Sequence, residues 1–97
     1  MHAIHRVVSV RYVGAYTLRV EFDDGMERTI DLEPMLEGEL FGPLRDPALF
    51  AAVAVDPEVH TVAWPNGADL DPAILHDWPD FADEMAARAR TWRLATR

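Results

Sequence analysis

The feature that most constrains the fold is an unbroken two-residue alternation of apolar and polar side chains over residues 16–22. The apolar members are Tyr16, Leu18, Val20 and Phe22, and the polar members are Thr17, Arg19 and Glu21. Successive side chains of a β-strand point to opposite faces, so this pattern predicts a strand with one buried face. The chain is therefore expected to build its core against a sheet.

The segments on either side show the same alternation. Val8, Val10 and Tyr12 share one face before this strand, and Met26, Ile30 and Leu32 share one face after it. Directly opposed residues of an antiparallel pair point to the same side of a sheet, which selects the length of each connecting loop. Three-residue loops at 13–15 and 23–25, the second with Gly25 in the left-handed conformation, keep the apolar faces aligned. They pair Val10 with Leu18 and Leu18 with Ile30, and we predict a meander over 4–12, 16–22 and 26–32.

The remainder of the chain predicts short helices and two short strands. Asp46-Pro47 and Asp71-Pro72 each place a helix cap before a proline at the first helical position, which predicts helices over 47–52 and 72–77. Trp78-Pro79 is expected to end the second of these, and Asp80 to cap a last helix over 81–94. One helical turn at 33–36 is expected to end at Gly38, and short strands are predicted at 53–55 and 60–64. An apolar cluster is expected to cover the sheet: Leu40, Phe41, Leu44, Leu49 and Phe50.

These elements predict an α+β fold, an antiparallel β-meander of three strands plus two short strands, with short helices and a C-terminal amphipathic helix. With 97 residues, the chain is expected to be a single domain over 1–97, with a body over 4–77 and a helical extension over 79–97. The last helix carries an apolar stripe at helical spacing, formed by Phe81, Met85, Ala89 and Trp92. This stripe either packs on its own sheet or is shared with a second chain. We expect a homodimer, because a three-stranded sheet with one apolar face needs more cover than residues 33–52 supply.

Composition excludes several functions. The chain has no cysteine, which excludes disulfides, thiolate metal sites and cysteine nucleophiles. Its net charge of −8 disfavours a broad nucleic-acid surface, because phosphates repel an acidic body. We expect a cytoplasmic protein without a signal peptide and without membrane contact, since no apolar run approaches the roughly 20 residues of a membrane span.

Individual polar residues have ordinary structural explanations. His2 and His5 lie three residues apart, which places them on opposite faces of a strand and disfavours a shared metal. His76 lies near a predicted helix C-terminus, where the helix dipole favours a cationic histidine. Asp71 is the expected cap, and Asp69 is expected to hold the preceding turn. We therefore expect no catalytic residue, no cofactor and no metal site.

The segment 61–72 combines a Trp-Pro-Asn-Gly-Ala-Asp sequence at 64–69 with a capped helix. Together with the strand at 18–22, the Asp24-Gly25 turn and the Gly-Pro-Leu-Arg-Asp sequence at 42–46, it resembles the DUF2442 family over roughly residues 4–77. The resemblance implies a small bacterial protein of uncharacterised function, similar to an N-terminal α+β domain that precedes a helix-turn-helix in some chains. It also implies a gene neighbour encoding another small protein, with an antitoxin role for this family. Residues 79–97 predict one helix rather than a helix-turn-helix, which departs from the longer relatives.

The hypothesis that we favour is a non-catalytic, antitoxin-like protein-interaction module that binds a small basic protein encoded nearby. Two surfaces are candidates: the turn with Trp64, Asn66, Asp69 and Asp71, and the acidic hairpin edge with Glu21, Asp23, Asp24 and Glu27. Loops and exposed charges are common sites of recognition. One alternative is a dimeric, DNA-associated transcriptional regulator that uses the C-terminal arginines. The other is a small-molecule-binding domain or an enzyme that uses Asn66, Asp69, His76 and Trp64.

Overall fold

The computed structural model describes residues 5–95, with side chains as far as residue 92. Three antiparallel strands form the main sheet in the order β1 (Val7–Gly14), β2 (Thr17–Phe22) and β3 (Glu27–Asp31). A second, two-stranded sheet joins β4 (Ala54–Val55) to β5 (Val62–Ala63). The helices are α1 (Gly38–Phe41), α2 (Pro47–Ala51), α3 (Pro72–His76) and α4 (Trp78–Ala95), with 3-10 turns at Glu33–Met35 and Gly42–Arg45. The predicted α+β fold is confirmed.

The β2–β3 hairpin has the predicted register. Leu18 lies opposite Ile30, and the Phe22 backbone N–H donates to the Met26 carbonyl at 2.9 Å. Gly25 adopts a φ of 86°, the left-handed conformation that a glycine enters at little cost. The three-residue loop at 23–25, predicted because it aligns the buried side chains of the two strands, is therefore confirmed.

The β1–β2 register differs from the prediction by two residues. Val10 lies opposite Val20 rather than Leu18, and Tyr12 lies opposite Leu18 rather than Tyr16. The predicted three-residue loop at 13–15 is a two-residue turn of Ala15 and Tyr16, both with positive φ, as the tight turns of hairpins require. A shift of two residues leaves every side chain on its original face, so the apolar pattern alone did not distinguish the two registers.

Two residues predicted for the apolar face are exposed. The β1 register shifts between Val7 and Ser9, and this irregularity buries Val7 while Val8 is 54% exposed. Met26 at the hairpin tip is 37% exposed. A one-residue bulge reverses which side of the strand the following side chain faces, and alternation in the sequence does not reveal its position.

Two of the three predicted helix caps are confirmed, whereas Asp80 lies in the first turn of α4 and does not cap it. The Asp46 and Asp71 carboxylates accept hydrogen bonds from the backbone N–H groups of Ala48 at 3.0 Å and Ala73 at 2.8 Å. Helix α4 differs from the prediction because it begins at Trp78, three residues early, with Pro79 in its first turn. Proline is accepted there because a first-turn residue has no intrahelical N–H partner to lose. Similarly, Gly38 begins α1 instead of only ending the preceding turn.

One hydrophobic cluster includes both the sheet and the segments that cover it. Its members from the sheet are all at most 2% exposed: Val7, Leu18, Val20, Phe22 and Ile30. Its covering members include Leu44, Phe50, Val62, Trp64, Leu75, Met85 and Ala89. Side chains of this chain thus cover the apolar face of the sheet, for which a second chain was expected to contribute. Within the predicted covering cluster, Leu44 and Phe50 are buried, whereas Leu40 is 44% exposed.

Helix α4 packs against the other helices of the chain and does not extend away from them. It contacts the Glu33–Met35 turn, α1 and α3. The Trp92 ring stacks on Phe41 with ring centres 5.7 Å apart. Between residues 5 and 95, no helix combines the length and the apolar character that a bilayer crossing requires.

Candidate functional site

The turn at 64–71 is largely occupied by structural contacts. Trp64 is 4% exposed, and its indole N–H donates to the Phe50 carbonyl at 3.0 Å. The Asn66 side chain donates to the Leu40 carbonyl at 2.9 Å and accepts from the Ala68 N–H at 3.1 Å. Asp71 caps α3. Of the four predicted residues of this turn, Asp69 is the one that is exposed and whose side chain makes no hydrogen bond within residues 5–92.

The second predicted surface, the acidic edge of the β2–β3 hairpin, is exposed. Glu21 and Glu27 lie directly opposite each other on the outer face of the sheet. Glu21 accepts a hydrogen bond from the Ser9 hydroxyl at 3.2 Å, and Glu27 pairs with Arg19 at 3.0 Å. Asp23 is exposed beside them, and its backbone N–H donates to the Arg6 carbonyl at 2.9 Å. Glu21 and Glu27, with their partners, also line a shallow depression of about 350 Å³ on this face.

The remaining acidic residue of the edge belongs to a different arrangement. Asp24 Oδ2 lies 2.7 Å from His76 Nε2, and Asp77 Oδ1 lies 3.0 Å from His76 Nδ1. The His76 ring is therefore held between two carboxylates, one from the hairpin tip and one from the end of α3. The His5 ring stacks on it with centroids 3.6 Å apart and an interplanar angle of 10°. We call these four residues, His5, Asp24, His76 and Asp77, the histidine cluster.

Two further contacts fix His76 in place. The backbone carbonyl accepts a hydrogen bond from Arg28 Nε at 2.7 Å, which ties the end of α3 to β3. The Phe22 ring meets the imidazole edge-on, with centroids 4.9 Å apart. The His76 side chain is 10% exposed, whereas both carboxylates are 45% exposed. The histidine is thus contacted from several sides, and its two carboxylate partners lie at the surface.

The electrostatics of the cluster favour a protonated His76. Burial of the ring lowers its pKa, but the hydrogen bonds to Asp77 and Asp24 outweigh burial and raise the pKa of His76 above its ordinary value. The backbone N–H of Met26 and the His76 ring together lower the pKa of Asp24. The hydrogen bond to His76 lowers the pKa of Asp77. An ionised carboxylate only accepts hydrogen bonds, so the imidazolium, with two donors, satisfies both.

Sequence reasoning weighed these residues separately and missed the cluster. His76 was explained by the helix dipole and Asp24 was placed on the acidic hairpin edge, and the two lie 52 residues apart in the chain. His5 was paired with His2, which lies outside the described residues. Within residues 5–92, three members of the histidine cluster, His5, Asp24 and His76, lie close enough together to act as ligands of one metal ion. No local spacing signals such a site, because each ligand comes from a different element.

The stripe predicted for a dimer helix lies against the rest of the chain. Met85 is 5% exposed and Ala89 is fully buried, both within the hydrophobic cluster. Phe81 and Trp92 are partly buried against the same cluster. The homodimer itself remains a prediction.

The fold and this site define a small α+β domain with an open sheet face and a histidine cluster at one end of its main hairpin. The chain belongs to the DUF2442 family, described as "Protein of unknown function (DUF2442)", whose sequence profile matches residues 7–79. Among solved structures, it is similar to the crystal structure of Putative DNA Binding Protein NE0471 from Nitrosomonas europaea. The TM-score is 0.67 at 17% sequence identity, covering 98% of this chain and 80% of that one, so the likeness concerns the fold. No curated protein matches the chain.

Proposed function

We propose that this chain is a non-catalytic protein-interaction module that binds a basic partner protein through the acidic edge of the β2–β3 hairpin. The observation that carries the proposal is the direct opposition of Glu21 and Glu27 on an exposed face. Residues 22 and 26 share a backbone hydrogen bond, so the neighbouring pair 21 and 27 occupies a non-hydrogen-bonded position, where side chains come closest. Like charges opposed there destabilise the hairpin.

Neighbouring side chains compensate this repulsion only in part. Arg19 neutralises Glu27, but Glu21 has a hydroxyl as its partner and Asp23 adds a further exposed charge. A cation from a partner would relieve the repulsion on binding, and the field of the edge would steer a basic protein toward it. The other predicted surface is a weaker candidate, because Trp64, Asn66 and Asp71 are already used in structural contacts.

The family resemblance suggests a more specific form of this proposal. In that form, the partner is a small protein encoded beside this one, and this chain acts as its antitoxin. An acidic module is suited to mask a basic protein that acts on nucleic acid. Co-expression with the neighbouring gene tests this form directly. Failure of the two proteins to copurify, together with no rescue of growth when the neighbour is toxic, would contradict it.

Charge substitutions test the binding surface. The edge variant combines Glu21→Gln, Asp23→Asn and Glu27→Gln, and leaves Asp24 in place because it contacts His76. The matched control removes the same charge from exposed positions elsewhere: Glu39→Gln, Glu58→Gln and Asp83→Asn. We expect the edge variant to bind the copurified partner at least about tenfold more weakly and with a smaller dependence on salt. Equal losses in the two variants would show that only net charge matters and would overturn the assignment of the edge.

DNA binding is the second candidate, and the name of the Nitrosomonas europaea structure is the observation that favours it. Side chains are described for two arginines of α4: Arg88, which pairs with Glu84 at 2.9 Å, and Arg90, which is exposed. A gel shift with duplex DNA at several salt concentrations distinguishes the two functions. Binding that weakens steeply with salt and is lost on replacing both arginines by Gln supports DNA recognition.

A further inference from the structure

We propose that His5, Asp24 and His76 form a binding site for a divalent transition metal ion of the zinc class, with Asp77 as the outer carboxylate that orients His76. The ligand atoms of these three residues all lie within 4.8 Å of one another. They come from three separate parts of the fold: the approach to β1, the hairpin tip and the end of α3. A bound ion would therefore link all three, independently of any partner at the acidic edge.

The donor set indicates which metal the site would take. Two imidazoles and one carboxylate match the nitrogen and oxygen ligands that zinc prefers, and imidazole also suits cobalt and nickel. Magnesium and calcium prefer sites made of oxygen atoms alone, so the two histidines disfavour them. Three protein ligands leave a fourth tetrahedral position for water. The carboxylates of Asp24 and Asp77 together balance the charge of a divalent ion.

The orientation of His76 is the strongest argument. A histidine that binds a metal through one ring nitrogen generally donates its other N–H to a carboxylate or carbonyl, which fixes the tautomer and the ring. Asp77 Oδ1 lies 3.0 Å from Nδ1 and provides that contact. Nε2 then faces Asp24 at 2.7 Å and is the nitrogen available to a metal. Arg28 and Phe22 hold the residue from the other sides, so the central ligand is preorganised.

Two movements convert the hydrogen-bonded cluster into a coordination site. With metal–ligand bonds of about 2.0–2.1 Å, tetrahedral ligands lie about 3.3 Å apart, so Asp24 and His76 must separate by about 0.6 Å. Asp24 belongs to a turn and its side chain is 45% exposed, which permits this shift. The His5 ring must also turn out of its stacked orientation, because a nitrogen lone pair lies in the ring plane. His5 is only partly buried and precedes the first strand.

Protons compete with a metal for the same nitrogen. Only a deprotonated Nε2 of His76 can bind the ion, which would lie between this nitrogen and Asp24 Oδ2, now 2.7 Å apart. Nδ1 keeps its contact with Asp77. Zinc binding should therefore weaken as the pH falls.

Calorimetric titration of the full chain with zinc chloride, after removal of metal with EDTA, tests the proposal. We expect one ion per chain, no binding of magnesium, and visible absorption bands of tetrahedral cobalt when cobalt chloride is used instead. Asp24→Asn and His76→Gln should each weaken zinc binding at least about tenfold, and Asp77→Asn by about 10–100-fold. Asp24→Asn is the key variant, because its exposed position keeps the fold intact, which circular dichroism verifies.

Two control variants locate the site. His60→Asn removes an exposed imidazole outside the cluster, at a left-handed position that asparagine tolerates, and should leave zinc affinity unchanged. His2→Gln tests the His-x-x-His pair of the N-terminal segment. No saturable zinc binding at micromolar concentrations would overturn the proposal. Zinc binding that persists in Asp24→Asn and His76→Gln but is lost in His2→Gln would also overturn it, because the ion would then lie on the N-terminal segment.

Discussion

Phe50→Ala removes the side chain around which the aromatic residues of the core are arranged. Phe50 is fully buried at the end of α2. Its ring meets those of Tyr12 and Tyr16 edge-on, with centroids 5.5 and 5.4 Å apart, and lies 5.8 Å from the ring of Trp64. It therefore joins β1, the first turn and β5's following loop through one side chain.

The free energy of unfolding should fall by about 4–5 kcal/mol in this variant. Truncation of a buried phenylalanine to alanine typically removes about 3–5 kcal/mol through lost transfer energy and the cavity left behind. Favourable aromatic pairs add about 0.5–1.5 kcal/mol each beyond burial, which places this residue in the upper half of that range. The Trp64 N–H keeps its bond to the backbone carbonyl of residue 50, so no buried donor is orphaned. Phe50→Leu fills most of the volume and should remove about 1–2 kcal/mol.

Urea unfolding followed by circular dichroism measures the difference. With a denaturant slope of about 2 kcal/mol per M, the alanine variant should shift the midpoint by about 2 M. A domain of this size is stable by about 5–15 kcal/mol, so the leucine variant keeps the test valid if the alanine variant is unfolded. Leu40→Ala is the control, because Leu40 belongs to the same predicted cluster but is 44% exposed, and it should change stability by less than about 0.5 kcal/mol. Similar losses for Leu40 and Phe50, or a loss below about 2 kcal/mol for Phe50→Ala, would refute this account of the core.

Three further changes test local features of the fold. The pKa of His76 is raised above its unfolded value of 6.5, so protonated His76 stabilises the fold fully below pH 6.5 and this stabilisation is lost as the pH rises through the folded pKa. Thermal melts in EDTA should show the melting temperature declining over this range, and the decline should be absent in His76→Gln. Asp46→Ala removes the cap of α2 and should lower the free energy of unfolding by about 1 kcal/mol in urea titrations, whereas Asp46→Asn, which also caps, should lower it much less. Ala15→Asn places a residue that tolerates positive φ at the first turn position, where φ is 49°, and should raise the melting temperature by a few degrees; a lowered value would contradict the turn geometry.

Local patterns located most elements of this fold, although α1 and the 3-10 turn at Gly42–Arg45 were not predicted. Alternation located β2, and the Asp-Pro sequences located α2 and α3, because each signal depends on the conformation of a few consecutive residues. The β1–β2 register was wrong because two registers differing by two residues bury the same side chains. The start of α4 was wrong because Pro79 is compatible with both the end of one helix and the first turn of the next.

The candidate sites divide in the same way. The predicted pairing of Leu18 with Ile30 also implies that Glu21 lies opposite Glu27, and the structure has this pair. Trp64 and Asn66 were predicted to belong to a binding surface, but Trp64 is buried and both side chains donate to backbone carbonyls. Nothing in the neighbouring sequence revealed those acceptors, because they belong to residues 14 and 26 positions away.

By itself, the sequence determined the α+β class, the apolar face of β2 and the acidic character of the hairpin edge, since these depend on the order of neighbouring residues. The tertiary structure alone decided that Met85 and Ala89 are buried within their own chain and that Asp24 meets His76. Both depend on how distant segments pack, and many packings satisfy the same local pattern. The histidine cluster exists only because the packed sheet brings the hairpin tip to the end of α3, where Arg28 holds the helix in place.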